Sequence, residues 1–181
     1  MQKIRLLAFS FLIFLLSFSL FSCKAYGITE NLSASSSSQQ INYELPYPGL
    51  LPDSPLYFLR VIRDKAVSFL ISDPLKKAEF DLLQSDKRLN AGIYLFNKGK
   101  TSLAFSTVSK AQNYFEEALD KTAEAKKQGR NVNDIEEKLR SALEKHKQEL
   151  AFFVEKVGTN FKASFQKEQK RTIDSEKRLS H

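Results

Sequence analysis

Few side chains in this sequence could do chemistry, and their spacing limits what that chemistry is. Cys23 ends the run Leu20-Phe21-Ser22-Cys23, with an apolar residue three places before the cysteine, a small one immediately before it, and the bulky Phe21 between them. That order fits a bacterial lipobox, in which the thiol takes a diacylglyceryl group before cleavage and the freed amino group is then acylated. Two or three acyl chains, each contributing ~0.8 kcal/mol per buried methylene, anchor a protein stably. A second reading makes Cys23 the last apolar residue of an ordinary secretory signal cleaved after Ala25-Tyr26-Gly27. The chain has one cysteine, which excludes an internal disulfide and suits a cysteine kept for lipid.

His146 is the other reactive side chain, and it falls on an apolar helical stripe. As a metal ligand or base it would need carboxylates converging on it. Glu144 is two residues away and Leu143 stands at the third position, so the Glu-x-x-His spacing of di-metal bundles is absent. The favoured reading is a stripe or boundary histidine with one hydrogen bond. Glu116-Glu117 and Glu136-Glu137 are adjacent on helices, where neighbours point about 100° apart and share neither a proton nor a substrate oxygen. They read as solvated faces. No phosphate loop, nucleophile elbow or zinc motif is present, so no catalytic, cofactor or metal residue is assigned.

Charge points to surface chemistry. The 28 Lys and Arg against 21 Asp and Glu give +7, and removing Lys3 and Arg5 with a signal leaves 26 against 21. Lys76-Lys77, Lys87-Arg88, Lys98, Lys100, Lys126-Lys127 and the tail 162–178 carry much of the excess. A basic surface concentrates anions such as lipid headgroups, wall polymer or nucleic acid. Interspersed acids over 137–148 favour instead a solvated helical face with i,i+4 pairs. No aromatic-interleaved groove of the kind that holds single strands is visible, which makes nucleic acid an unfavoured partner.

The elements that hold these residues are organised around residues 45–89. Asp53-Ser54-Pro55 and Ser72-Asp73-Pro74 each place a capping side chain before a proline whose fixed φ suits a first helical turn. Asp73, preceding a proline, is expected to be extended, so the chain bends there. Pro46, Pro48, Gly49 and Pro52 enforce an extended lead-in. Its Leu45, Tyr47, Leu50, Leu51, Leu56, Tyr57 and Phe58 are expected to pack back on the helices.

The residues Pro48-Gly49-Leu50-Leu51-Pro52-Asp53-Ser54-Pro55-Leu56-Tyr57, then Asp73-Pro74-Leu75-Lys76-Lys77-Ala78-Glu79 and Lys87-Arg88-Leu89, resemble the bacterial domain of unknown function numbered 5667. Its exported members carry PGxLPxxPLYxLK followed by DPxKKAExxLxxAxKRL. The resemblance covers about residues 45–119. Arg60 stands where the family often has lysine, and Asn90-Ala91-Gly92 replaces its usual RLAEA continuation. The resemblance implies an extracytoplasmic helical domain and no known activity.

At the amino terminus, Lys3 and Arg5 precede an apolar run over 6–21 broken only by serines, which fits a lipoprotein-type signal over 1–22. Residues 23–44 supply the anchor cysteine and a serine-rich spacer, whose Ser33 to Gln40 stretch has the composition of a flexible tether. The helical domain is 45–181. Its first helix, about 55–71, places Leu56, Leu59, Ile62, Ala66, Phe69 and Leu70 on one stripe. The second, about 74–98, ends at Gly99. The third, about 101–128, carries the heptad seam Ala104, Val108, Ala111, Phe115, Ala118, Thr122 and Ala125 until Gly129. A long fourth helix, about 133–177, has a weak point at Gly158-Thr159-Asn160.

The expected fold is all-α, an elongated antiparallel helical bundle of about four helices after a signal peptide and flexible linker. The expected role is an exported, lipid-anchored, non-enzymatic interaction or structural module of the cell envelope, held extracytoplasmically. Its partners would be the membrane through Cys23 and a protein, or a second copy, through helix faces. Phe152, Phe153, Phe161 and Phe165 are the aromatic candidates for such a face if the other helices leave them open. The alternative role is a sensor-like or chaperone-like bundle with a pocket lined by those phenylalanines.

Overall fold

A computed structural model describes residues 43–180. The signal, Cys23 and the expected spacer up to residue 42 lie outside the described residues, while Tyr43, counted with that spacer, packs against the helices. The order is α1 (Tyr57–Leu70), α2 (Pro74–Asn97), α3 (Thr101–Lys127), α4 (Asn133–Lys156) and α5 (Thr159–Leu179). No strand occurs among the described residues, so the domain is all-α as expected.

The bounds of α2 and α3 follow from side-chain and backbone chemistry. Asp73 is extended, and its Oδ1 accepts from the amides of Leu75 at 2.9 Å and Lys76 at 3.0 Å, with Pro74 opening the helix. Gly99 and Gly129 both sit at φ 74°. Each closes a paired C-terminal motif: Lys100 N donates to Leu95 O and Gly99 N to Phe96 O, and Arg130 N donates to Ala125 O and Gly129 N to Lys126 O. A side chain at that φ would be strained, so glycine ends both helices.

α2 and α3 form the tightest pair. The α3 seam of Ala104, Val108, Ala111, Phe115, Ala118, Thr122 and Ala125 is buried along its whole length. Opposite it, Gly92 lets the backbones close: a Cβ there would collide with Val108 Cγ2 and come within 3.5 Å of Ala104 O. The departure from the family pattern at Asn90-Ala91-Gly92 thus has a packing reason.

The long fourth helix is corrected. It breaks at Val157 and Gly158, both extended, and α5 folds back antiparallel on α4. A continuous helix of forty-odd residues would run ~65 Å, well past the ~40 Å of α3, carrying Phe161 and Phe165 beyond the core. Folding back stacks Phe165 on Phe153 at 4.9 Å between ring centroids and sets it edge-on to Phe105 at 5.5 Å. Two hairpins, α2–α3 and α4–α5, therefore pack on each other. Arg171 reaching Glu116 and Arg178 reaching Asp120 show α5 parallel to α3.

The core has two apolar clusters. One gathers Leu82, Phe115, Leu119, Ile135, Leu139 and Leu143, and the other Leu89, Val108, Leu150, Phe153, Val157 and Phe165. Between them lies a polar layer of Asp86, Gln112 and His146.

Candidate interaction surface

His146 is fully buried in that layer. Its Nε2 lies 3.0 Å from Asp86 Oδ1 and its Nδ1 lies 3.2 Å from Gln112 Nε2. With Gln112 donating into Nδ1, the imidazole is the Nε2–H tautomer, and that hydrogen goes to Asp86. The ring also packs 5.2 Å from Phe115. Asp86 Oδ2 accepts in turn from the Tyr43 hydroxyl at 2.6 Å. Burial first, then the charge and hydrogen bond of Asp86, push the Tyr43 hydroxyl well above its ordinary range. Both imidazole nitrogens are engaged and neither is open to a substrate, so His146 holds helices in register. It makes two hydrogen bonds where the stripe pattern suggested one.

The carboxylate pairs are divided among different partners. Arg171 donates to both oxygens of Glu116 at 2.8 Å, while burial raises Glu117. Glu136 pairs with Lys126 at 3.0 Å. Among the described residues, no group of three or more His, Cys, Asp or Glu is placed to hold a metal ion.

The aromatic candidates on the last helices go mostly to the core. Phe153 and Phe165 are buried and Phe161 is half-buried against them, leaving Phe152 partly exposed. The large apolar surface that stays open lies instead on α1, which reverses the expected packing of that helix. Phe69 is 88 % exposed, Leu70 77 %, Ile62 60 % and Phe58 56 %. The side turned inward is polar: Arg60 and Asp64 are its buried residues.

What holds α1 this way round is the lead-in. Arg60 Nη1 donates to Pro48 O and, at 2.8 Å, to Leu50 O. Its Nε sits 3.5 Å from Asp64 Oδ2, a pair one turn apart with both side chains almost wholly buried. Arg63 Nη2 adds a second cation to Asp64 at 2.8 Å. A buried guanidinium needs acceptors, and the two lead-in carbonyls supply them only if α1 turns its polar face inward. The lead-in itself is fastened along α2. Asn90 Nδ2 donates to Pro46 O at 2.9 Å, and Asp53 Oδ2 accepts from Lys100 at 2.8 Å and Lys98 at 3.2 Å.

Those lysines, Lys100 first, lower the Asp53 carboxyl below its ordinary value. Asp53 is thus a clamp to the far end of α2 rather than the expected cap of α1, which begins at Tyr57 after a turn and has no side-chain cap. The lead-in does pack back on the helices: Leu45 lies against the apolar cluster of Phe153 and Phe165 and Pro48 is buried, while polar bonds fasten the rest and Tyr47, Leu50 and Leu56 remain exposed.

The resulting open face is continuous. At ~100° per residue, Phe58, Phe69, Ile62, Ala66, Leu59 and Leu70 fall within an arc of about 120°, with Lys65 on one edge and Arg63 on the other. Beside the Arg63 edge, an open cleft of about 380 Å³ lies between the lead-in and α1, with Arg60, Arg63 and Lys87 contributing cations to its wall. Sequence reading missed Arg60 and Asp64, although their i,i+4 spacing interrupting an apolar helix is the signal that marks a polar inner face.

Searches of curated proteins and of solved structures return no match. Residues 49–160, which include Asp53, α1 and the polar layer of Asp86, Gln112 and His146, match the family model described as Domain of unknown function (DUF5667), and the chain belongs to that family.

Proposed function

We propose that this protein is an exported, lipid-anchored helical module of the bacterial cell envelope that works without catalysis, by presenting a surface to a partner. The observation that carries this reading is the outward apolar face of α1, fixed in that orientation by the buried Arg60–Asp64 pair and the lead-in carbonyls. A domain that buries charges to keep phenylalanines in solvent has a use for the exposed face. The lipobox-like run ending at Cys23 supplies the anchor, and the serine-rich residues before Tyr43 supply reach. The sensor-like or chaperone-like alternative requires a pocket lined by Phe153 and its neighbours, and these rings are packed against one another and against Phe105 and Phe96.

Growth with labelled palmitate tests the anchor. The wild-type protein is expected to carry label in the membrane fraction, and Cys23→Ala to lose both label and membrane retention. An unlabelled protein whose localisation is unchanged by Cys23→Ala would remove the anchor from this reading.

A further inference from the structure

We infer that the α1 face is a membrane-contact surface: it lies along an anionic lipid bilayer, with Phe58, Ile62, Phe69 and Leu70 in the interfacial layer and the neighbouring cations on headgroup phosphates. This rests on the surface-module reading above and names the partner of its open face.

Charge placement selects lipid over a second apolar protein. A helix lying in a bilayer interface has an apolar stripe bordered by Lys and Arg, which reach headgroup phosphates while the stripe enters ~5–10 Å. On α1 the stripe is bordered by Lys65 and the exposed Arg63, and beside the Arg63 edge opens a cleft with Lys87 in its wall, where Arg60 is already held by Asp64 and the lead-in carbonyls. Asp64 is the acidic residue of α1, and it is buried against two arginines, so it offers no repulsion to an anionic surface. Tyr47 and Leu50, both exposed, line the same cleft with Leu59 and extend the apolar face onto the lead-in. α1 is too short to span: among the described residues no helix is long and apolar enough to cross a membrane. It can only lie flat.

The position of the face in the chain agrees. Nineteen residues lie between Cys23 and Tyr43, and a serine-rich chain of that length reaches on the order of 25 Å. A weak interfacial contact held that close to a bilayer becomes effectively intramolecular.

The sequence contains no tryptophan, so Phe69→Trp places a single reporter at the most exposed point of the stripe. The full chain carrying it is extracted in detergent and reconstituted into vesicles of phosphatidylcholine and phosphatidylglycerol containing acyl-brominated lipid. Its emission is expected to shift to the blue and to be quenched at least ~2-fold more strongly than that of Ile173→Trp on α5, as an interfacial helix requires. Adding Ile62→Glu, or replacing phosphatidylglycerol with zwitterionic lipid, is expected to remove most of that difference, while circular dichroism stays unchanged.

Equal quenching of the two reporters in vesicles that carry the protein overturns the inference and leaves the anchor intact. A blue shift that grows with protein concentration in detergent alone overturns it in favour of a second copy. Intact mass at Cys23, measured on the same sample, reports on the anchor separately: an unmodified cysteine with a quenched Phe69→Trp reporter would refute the tether and support the contact surface.

Discussion

Tyr43, Asp86, His146 and Gln112 act as one unit, although they come from the lead-in and from α2, α4 and α3. Each satisfies a polar atom that the apolar layers on either side cannot. Tyr43→Phe leaves Asp86 with His146 but removes a hydrogen bond to a buried carboxylate, so it is expected to lower unfolding stability by about 1–2 kcal/mol in a denaturant titration. His146→Ala strands Asp86 and Gln112 together and opens a cavity, and a loss of at least ~3 kcal/mol is expected. Of this unit only His146 was legible in the sequence. His146 stood out on its stripe, but Asp86 lies 60 residues away, and no local spacing connects the two.

The same scale sets the acid response. Asp73 is held below its ordinary value of 3.8, first by the Lys76 amide and then by Arg130. Its unfolded form therefore binds a proton more readily than its folded form. The stability it contributes is full above 3.8 and is lost as pH falls through the lower folded value. Asp81 is raised, mainly by burial that outweighs Lys77; its ionised form opposes folding, and protonation relieves that as pH falls. Asp73→Asn keeps a capping oxygen but removes the charge. The loss of stability between neutral pH and pH 3 is expected to shrink in this variant, measured by thermal melts across that range.

The helices divide into those whose packing periodicity could settle and one for which it could not. α2 and α3 start and stop at Pro74, Gly99 and Gly129 because those residues act on their own backbone, so their bounds could be read locally. The α3 seam was equally plain, since alanines every three or four residues have no reason to repeat on a solvated face. Its counterpart was hidden: Gly92 looked like an interruption of α2, and only Val108 across the interface explains it. Gly92→Ala is expected to cost about 1–3 kcal/mol through overpacking, with Val108→Ala restoring part of the loss in the double variant. On α1 the period was right and the direction wrong. An apolar stripe gives a face but not what it faces, and Arg60, needing the carbonyls of Pro48 and Leu50, turned the helix over. At Gly158 the weak point was visible; that the chain doubles back there depended on stacking Phe165 against Phe153, a tertiary gain absent from local propensity.

For the whole molecule, part of the charge that looked like a diffuse basic surface is spent on joining elements. Arg171 and Arg178 tie α5 to α3, Lys147 ties α4 to α5, and Lys98 and Lys100 hold the lead-in. Exposed pairs of this kind contribute little each to stability, ~0–1 kcal/mol. The matched segment is structural on this view: its Pro48 carbonyl, with Asp53 at an open position of the family pattern and Arg60 where the family often has lysine, builds the clamp that presents the apolar face, and its Asp73-Pro74 starts the bundle beneath. The measurement that bears most directly on the module as a tethered surface protein is the mass of its mature amino terminus from the membrane fraction. A chain beginning at a diacylglyceryl-modified Cys23 is the expected result, and a chain beginning at Ile28, or an unprocessed one recovered free of membrane, would contradict it.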